Sequence, residues 1–337
     1  MVKIANSARR LTLLGYGACA LAGCLWGTGF YWGRLALNEM TVEHMVFLRF
    51  LFACLGMIPV LVIDRRRMRF TASEARLLLL SAALGVPLQF LLQFHGLART
   101  TVSHASLMVG AIPVMLAGAA ALFAGERLDW IGWMALGGST AGAALILLGG
   151  NRSSAIRGEP SLTGDLLVLA SLLTALAWIL LSKKLMLTHS PPVVTACTIL
   201  SGTVMLAAWV LGPWMLRAAL PNSWLDFSWL GLSTKADWFQ PLSLAHISLT
   251  AWAALAISGL LCTSATTLLW NWGIHHVPAS RAGVFLNFEP AIGAFLGVQL
   301  LGERLGPYAW AGGAFILAAA LVLTTRGHPP EPAVILE

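Results

Sequence analysis

Ten stretches of this sequence, each close to 20 residues long and almost wholly apolar, follow one another with mostly short polar links between them. They cover residues 13–33, 42–63, 75–97, 103–123, 130–149, 163–183, 193–213, 247–272, 281–301 and 308–325. A run of about 20 apolar residues is the length of helix that crosses bilayer hydrocarbon. A soluble protein of 337 residues could not enclose ten such runs in one or two cores. Charged residues make up only 10% of the chain, against about 25% in an ordinary soluble domain. The runs are continuously apolar rather than alternating with period two, which argues against a β-barrel. The sequence therefore predicts an all-α polytopic membrane protein with ten transmembrane helices.

The hydrophobic fraction is 58% and the mean hydropathy is +0.79. The opening "MVKIANSARR" resembles the basic start of a secretory signal. Its apolar stretch continues past Tyr31, longer than a signal core, and has no evident cleavage site, so it reads as the first membrane helix. The cysteines Cys19, Cys24, Cys54, Cys197 and Cys262 all lie inside apolar runs without metal-ligand spacing, as small packing residues do. The net charge of +7 fits a membrane protein. With the N-terminus inside, the larger share of lysines and arginines, including the cluster "DRRRMRF" at 64–70, falls on the cytoplasmic side. Both termini are then cytoplasmic in the cell's inner (plasma) membrane.

The tetrapeptide "GERL" occurs at 125–128 and again at 302–305, each time 12 residues after a proline, Pro113 or Pro290. Sliding the chain over itself by 177 residues brings Gly96 onto Gly273, Ser103 onto Ser280, Glu126 onto Glu303 and Trp133 onto Trp310. Upstream, Trp26 matches Trp178 at an offset of 152, and the long connection at 214–246 absorbs the difference. Two repeats of five runs follow, at 1–150 and 160–326, with a tail at 327–337. Five is odd, so the second repeat enters the membrane from the opposite face and the halves are inverted. Inverted repeats are a recurrent plan of secondary transporters, with the solute site at the midplane between them. Duplication of a scaffold without transport is the plainer alternative.

The pieces "WGTGFYWGRLAL", "LRFLFA", "GLARTTVSHASLMVGAIPV" and "FLNFEPAIGAFLGVQLLGERL", in this order and with GERL closing each repeat, resemble the drug/metabolite transporter superfamily of the EamA type. The resemblance covers nearly the whole chain. It implies ten helices, cytoplasmic termini and export of small metabolites from a central cavity. The 214–246 connection is longer than that pattern leads one to expect.

Candidate solute-binding residues come from polar and aromatic positions inside the runs. Thr263, Thr266, Thr267 and Trp270 stand at i, i+3, i+4 and i+7, one face of a regular helix. Under the repeat, Thr266 and Trp270 correspond to Gln89 and Gln93, themselves one turn apart. Two such stripes could line a cavity, or could be hydrogen-bonding glue between helices. Trp26 and Trp178 sit at matched positions well inside their runs, where rings can stack on flat or cationic solutes. His104, at the start of the fourth run, and Asn287, in the ninth, complete the set. Glu289 lies eight residues into 281–301, where its repeat counterpart is Ile112. An ionisable residue at that depth is costly and commonly functional, and burial disfavours its charged form. It is the candidate for proton coupling, with a neutral hydrogen-bonded acid or a partner for an intramembrane arginine as the alternatives.

Arg49 reads as structural, snorkelling or pairing near Glu43 and His44. Pro87, Pro113 and Pro290 should bend their spans. The pairs Gly23/Gly27, Gly29/Gly33 and Gly293/Gly297 have the spacing of close helix contacts. The tryptophans of 214–246 suit an interfacial anchor. There is no phosphate-binding GxxxxGK[ST] loop and no HExxH or nucleophile motif, so neither ATP-driven transport nor a membrane enzyme is favoured. The reading is a secondary exporter of small metabolites, amino acids foremost, with a lipid or sugar-lipid flippase as the alternative. Its partners are a small-molecule solute, the lipid bilayer and protons as a candidate coupling ion. No cofactor, metal or nucleic acid is assigned, and no oligomeric state.

Overall fold

The computed structural model describes residues 2–64, 68–123, 129–149, 160–219, 246–277 and 283–326. The first GERL, the arginines at 65–67, most of the 214–246 connection and the tail at 327–337 lie outside the described residues. The described elements are helices throughout. They are α1 (Val2–Leu37), α2 (Val42–Ile63), α3 (Ala72–Leu97), α4 (Val102–Val109), α5 (Ile112–Phe123), α6 (Trp130–Gly149), α7 (Leu162–Leu185), α8 (Pro191–Ala219), α9 (249–276), α10 (Phe288–Leu301) and α11 (Pro307–Arg326). Among the described residues, seven helices are long and apolar enough to cross a membrane, and three shorter apolar helices accompany them. The seventh run continues as helix through Ala219, so the first residues of the expected connection are helical instead.

Short polar links set the helix starts. Thr41, Thr71, Thr101, Ser161 and Ser248 each accept a backbone N–H of the following turn, and Asp129 does so for Gly132. These side chains satisfy donors that a helix N-terminus leaves free. At the other end of α10, Gly302 adopts φ +67° and closes the helix in the left-handed conformation that glycine tolerates best.

Two kinds of irregularity recur at matched places. α3 contains a π-helical segment at Leu84–Leu88, which holds Pro87, and α9 contains one at Ile257–Ala265. Shifted by 177, residues 84–88 fall on 261–265. The fourth run is broken at Gly110 and Ala111, between α4 and α5. The same shift carries that break to 287–288, where the 3-10 turn Gly283–Asn287 gives way to α10. Pro113 and Pro290 therefore do not kink a continuous helix. They stand in the first turn of a restarted one, where the missing proline N–H has no partner to lose.

The halves pack mainly on each other. α1 lies along α9 and α3 along α7; α2 meets α8, α4 meets α10, and α6 meets α11. Each contact is either self-matching under the repeat or has its counterpart. Helices in lipid lack a hydrophobic drive toward one another and depend on close packing, and glycines supply it here. A Cβ at Gly96 would lie 2.8 Å from the Gly164 carbonyl oxygen, and one at Gly273 would lie 3.0 Å from that of Gly15. The outer faces stay apolar: Leu51, Leu55, Ile58 and Val62 form an exposed stripe along α2.

The α6–α11 crossing gives a sharp test. A Cβ at Gly142 would stand 2.6 Å from the Gly312 carbonyl oxygen, whereas one at Gly137, on the same helix, meets nothing within 4 Å. Gly142→Val is expected to destabilise the protein by about 1–3 kcal/mol, while Gly137→Val leaves its melting temperature in detergent near the parent value. Equal melting of the two variants would refute this packing.

Candidate functional site

Near the middle of the bundle a buried arginine stands without a carboxylate partner. Arg49 of α2 is 6% exposed, and its guanidinium carbon lies 5.0 Å from the Phe90 ring centroid and 5.2 Å from that of Phe94. Its Nε and Nη2 donate to Thr263 Oγ1 at 3.4 and 3.2 Å. The Thr263 hydroxyl in turn donates a hydrogen bond to the Ser258 carbonyl at 2.9 Å. Among the described residues Arg49 makes no ion pair, and its other terminal nitrogen makes no hydrogen bond. An unpaired buried charge is expensive, and such residues in membrane helices mark solute or ion pathways.

The opposite charge comes from the other half. Glu289, part-buried in the first turn of α10, makes no hydrogen bond or ion pair among the described residues. The helix N-terminus favours a carboxylate at that point. α1 runs close by: a Cβ at Gly27 would lie 2.6 Å from the Glu289 carbonyl oxygen. Thr28 Oγ1 lies 3.2 Å from the Cys262 thiol, and the Trp26 and Trp270 rings sit 5.6 Å apart. Gln89 Oε1, Trp178 Nε1 and Asn271 Nδ2 are buried without hydrogen-bond partners among the described residues. Buried polar atoms are usually paired, so these three are available to water or solute.

At one end of the bundle a hydrogen-bond network ties the halves together. Asp165, fully buried at the start of α7, accepts from Thr100 Oγ1 at 2.5 Å and lies 3.2 Å from His104 Nδ1. The Arg34 guanidinium donates to the Thr100 carbonyl, and Ser161 Oγ to the Arg99 carbonyl at 2.5 Å. Glu303, from the second GERL, accepts from the Val102 and Ser103 backbone N–H groups at 2.7 and 2.8 Å and from Ser103 Oγ at 2.6 Å. It thereby caps α4 from the other half of the chain. In the α1–α2 turn, side-chain and backbone hydrogen bonds from Ser248 hold the Glu39 carboxyl below the usual carboxylate range.

Residues 13–148 and 162–325 each match the EamA-like transporter family. The chain belongs to that family. An uncharacterised transporter of Archaeoglobus fulgidus is 23% identical over 92% of this chain and 96% of its own length. A permease-like protein of Bacillus subtilis is 40% identical over 65 residues, 19% of this chain and 83% of that protein. A Streptantibioticus cattleyicolor protein described as a "probable terminal-alkyne amino-acid exporter" is 34% identical over 73 residues, 22% of this chain and 25% of that one. A solved crystal structure superposes with a TM-score of 0.58 at 16% identity, covering 94% of this chain and 96% of the other. That likeness concerns the fold. The protein is thus a multi-pass membrane protein of a transporter family, built from two repeats.

Within this EamA-like bundle the sequence candidates divide. Gln89 and Gln93 are buried on the same turns of α3 as Phe90 and Phe94, the rings that lie under the Arg49 guanidinium. Trp26 meets Trp270, and Trp178 packs against Gly85 of the π segment. The stripe read from Thr263 to Trp270 is not one regular face, because the π segment ends at Ala265 and shifts the phase. Only Thr263 of its threonines reaches Arg49. Thr266 and Thr267 instead donate to the Leu261 and Thr263 carbonyls at 2.5 and 2.6 Å. His104 belongs to the seal, and Asn287 ends the 3-10 turn before α10. Arg49 does not pair with Glu43, which lies 3.1 Å from His95. Asp165 escaped notice because its position, at a run's edge, looks interfacial. Arg49, which the sequence reads as structural, lies about as deep in its run as Glu289 does, and that depth is the signal that marks it.

The seal predicts its own weak point. Asp165→Ala leaves the Thr100 hydroxyl and the His104 ring without their buried partner, at about 1–3 kcal/mol for each group left unsatisfied. A clear fall in melting temperature is expected, smaller for Asp165→Asn. No fall in either variant would count against the network.

Proposed function

We propose that this EamA-like protein is a secondary transporter that exports small metabolites, foremost amino acids, by alternating access between its halves. Ten membrane helices form two inverted repeats, 1–150 and 160–326, in the inner membrane with both termini cytoplasmic. The observation that carries the reading is the pair of charges at the centre. Arg49 comes from one half and Glu289 from the other, and neither is neutralised by an ion pair among the described residues. Such charges suit a chamber that opens to water and closes again. The helix pairs that cross between the halves give a plane along which one half can rock, and the seal around Asp165 and Glu303 is the gate at one end. The amino-acid assignment draws on the aromatic residues around the centre and on the exporter title borne by the Streptantibioticus relative.

Glu289 is the group proposed to carry the proton. The charged or titratable groups that interact with it electrostatically are Arg49 and Cys262. Flux of a labelled amino-acid panel in proteoliposomes, with and without an imposed pH gradient, is expected to show saturable transport of one class that follows the gradient. In Glu289→Gln, whatever flux of that solute remains should lose all gradient stimulation. Unchanged stimulation in the variant would remove Glu289 from the coupling role, and absence of flux for every solute tested would overturn the transporter reading.

A further inference from the structure

We infer that Arg49 and Glu289 are the two poles of a receptor for zwitterions, the guanidinium taking the solute's carboxylate and the Glu289 carboxylate taking its ammonium group. The inference rests on the transporter reading above and deepens it by naming the chemical feature that the site selects.

A guanidinium is a planar fork that binds a carboxylate through two parallel N–H bonds. In Arg49 that fork is held in place but not used up. Phe90 and Phe94 fix its plane at 5.0 and 5.2 Å, and Thr263 takes Nε and Nη2 on a single hydroxyl oxygen. The remaining terminal nitrogen has no acceptor among the described residues, and no protein carboxylate comes within ion-pair distance. Had Glu289 been placed to neutralise Arg49, the two would form a direct bridge, the cheaper arrangement in a low-dielectric interior. They stand apart instead, beyond bridging distance, and both lie against α1: a Cβ at Gly29 would be 3.8 Å from Arg49 Nη2, and one at Gly27 would be 3.2 Å from Glu289 Cα.

A solute with one charge at each end of a short backbone fits this arrangement. Its carboxylate completes the Arg49 fork while its ammonium lies against Glu289, so four charges that are separately costly become mutually satisfied. An amine or an acid alone would satisfy one pole and leave the other buried without its counterion. Truncating one partner of a desolvated charge pair weakens binding heavily for that reason. The Trp26 and Trp270 rings, 5.6 Å apart, offer an aromatic surface to the solute's side chain.

The test is a cycle of analogues on the purified full chain in detergent, read as dissociation constants by calorimetry. One triad is phenylalanine, phenethylamine and 3-phenylpropionate; a second is leucine, isopentylamine and 4-methylpentanoate. In at least one triad the zwitterion should bind the parent protein about tenfold or more tighter than either singly charged analogue, a factor that corresponds to about 1.4 kcal/mol. Arg49→Gln should abolish the preference over the amine while keeping that over the acid; Glu289→Gln should do the reverse. Because the analogue series is first read on the parent protein, a variant that fails to fold leaves the main comparison intact. Singly charged analogues that bind as well as the zwitterions, or no binding by either zwitterion, would overturn the receptor. Proteoliposome flux separates the two levels: saturable transport of a singly charged or neutral solute alongside that result leaves the transporter standing, whereas no flux of any solute removes both.

Discussion

Close approach of helix backbones across the two halves is the constraint on which the rest of this structure depends. Lipid tails are as apolar as leucine, so burying apolar side chains between helices stabilises little. What remains is dispersion and fit, and both grow as the helix axes come together. Gly96 against Gly164, Gly15 against Gly273 and Gly142 against Gly312 remove the Cβ atoms that would hold the axes apart. All three contacts join one half to the other. Each half is thus a partial structure whose helices find their main neighbours in the opposite half.

That dependence explains where the chemistry sits. A surface shared by two halves is the place where a charge from each can face the other without either half enclosing both. Arg49 is braced by aromatic rings of its own half and by one threonine of the other. Glu289 stands where the ninth run restarts, so its side chain projects from a helix end and not from mid-helix. The break that puts it there is the same break that divides α4 from α5 in the first half, where the matching residue is Ile112. The scaffold is symmetric; the charge is added to one side of it.

Much of the architecture was legible because membrane spans announce themselves by length and hydropathy. The runs at 42–63 and 130–149 coincide with α2 and α6 to the residue. The glycines and prolines that coincided under the 177-residue shift also have physical duties: Gly96 and Gly273 as contact points, Pro113 and Pro290 as openers of restarted helices. Illegible were features that depend on backbone irregularity or on partners distant in sequence. The threonine stripe assumed 3.6 residues per turn through a segment that does not have it. The partners of His104 and Arg49 lie 61 and 214 residues away, on other helices, and no local pattern names them. The second GERL was legible as punctuation only. That Glu303 caps α4, at the start of the first half's broken helix, follows from the fold.

The matched π segments also carry information about time. A π turn is an accommodated extra residue, tolerated locally at some cost to hydrogen bonding. Finding one in α3 and one in α9 at overlapping positions of the two halves is most simply inheritance from a single ancestral repeat that already contained it. Such an ancestor would have had its principal packing surfaces uncovered, since those surfaces are met here by the other half. Two such copies packed on one another would have covered those surfaces, and fusion of the two genes would then have let one copy acquire a glutamate that its twin never needed.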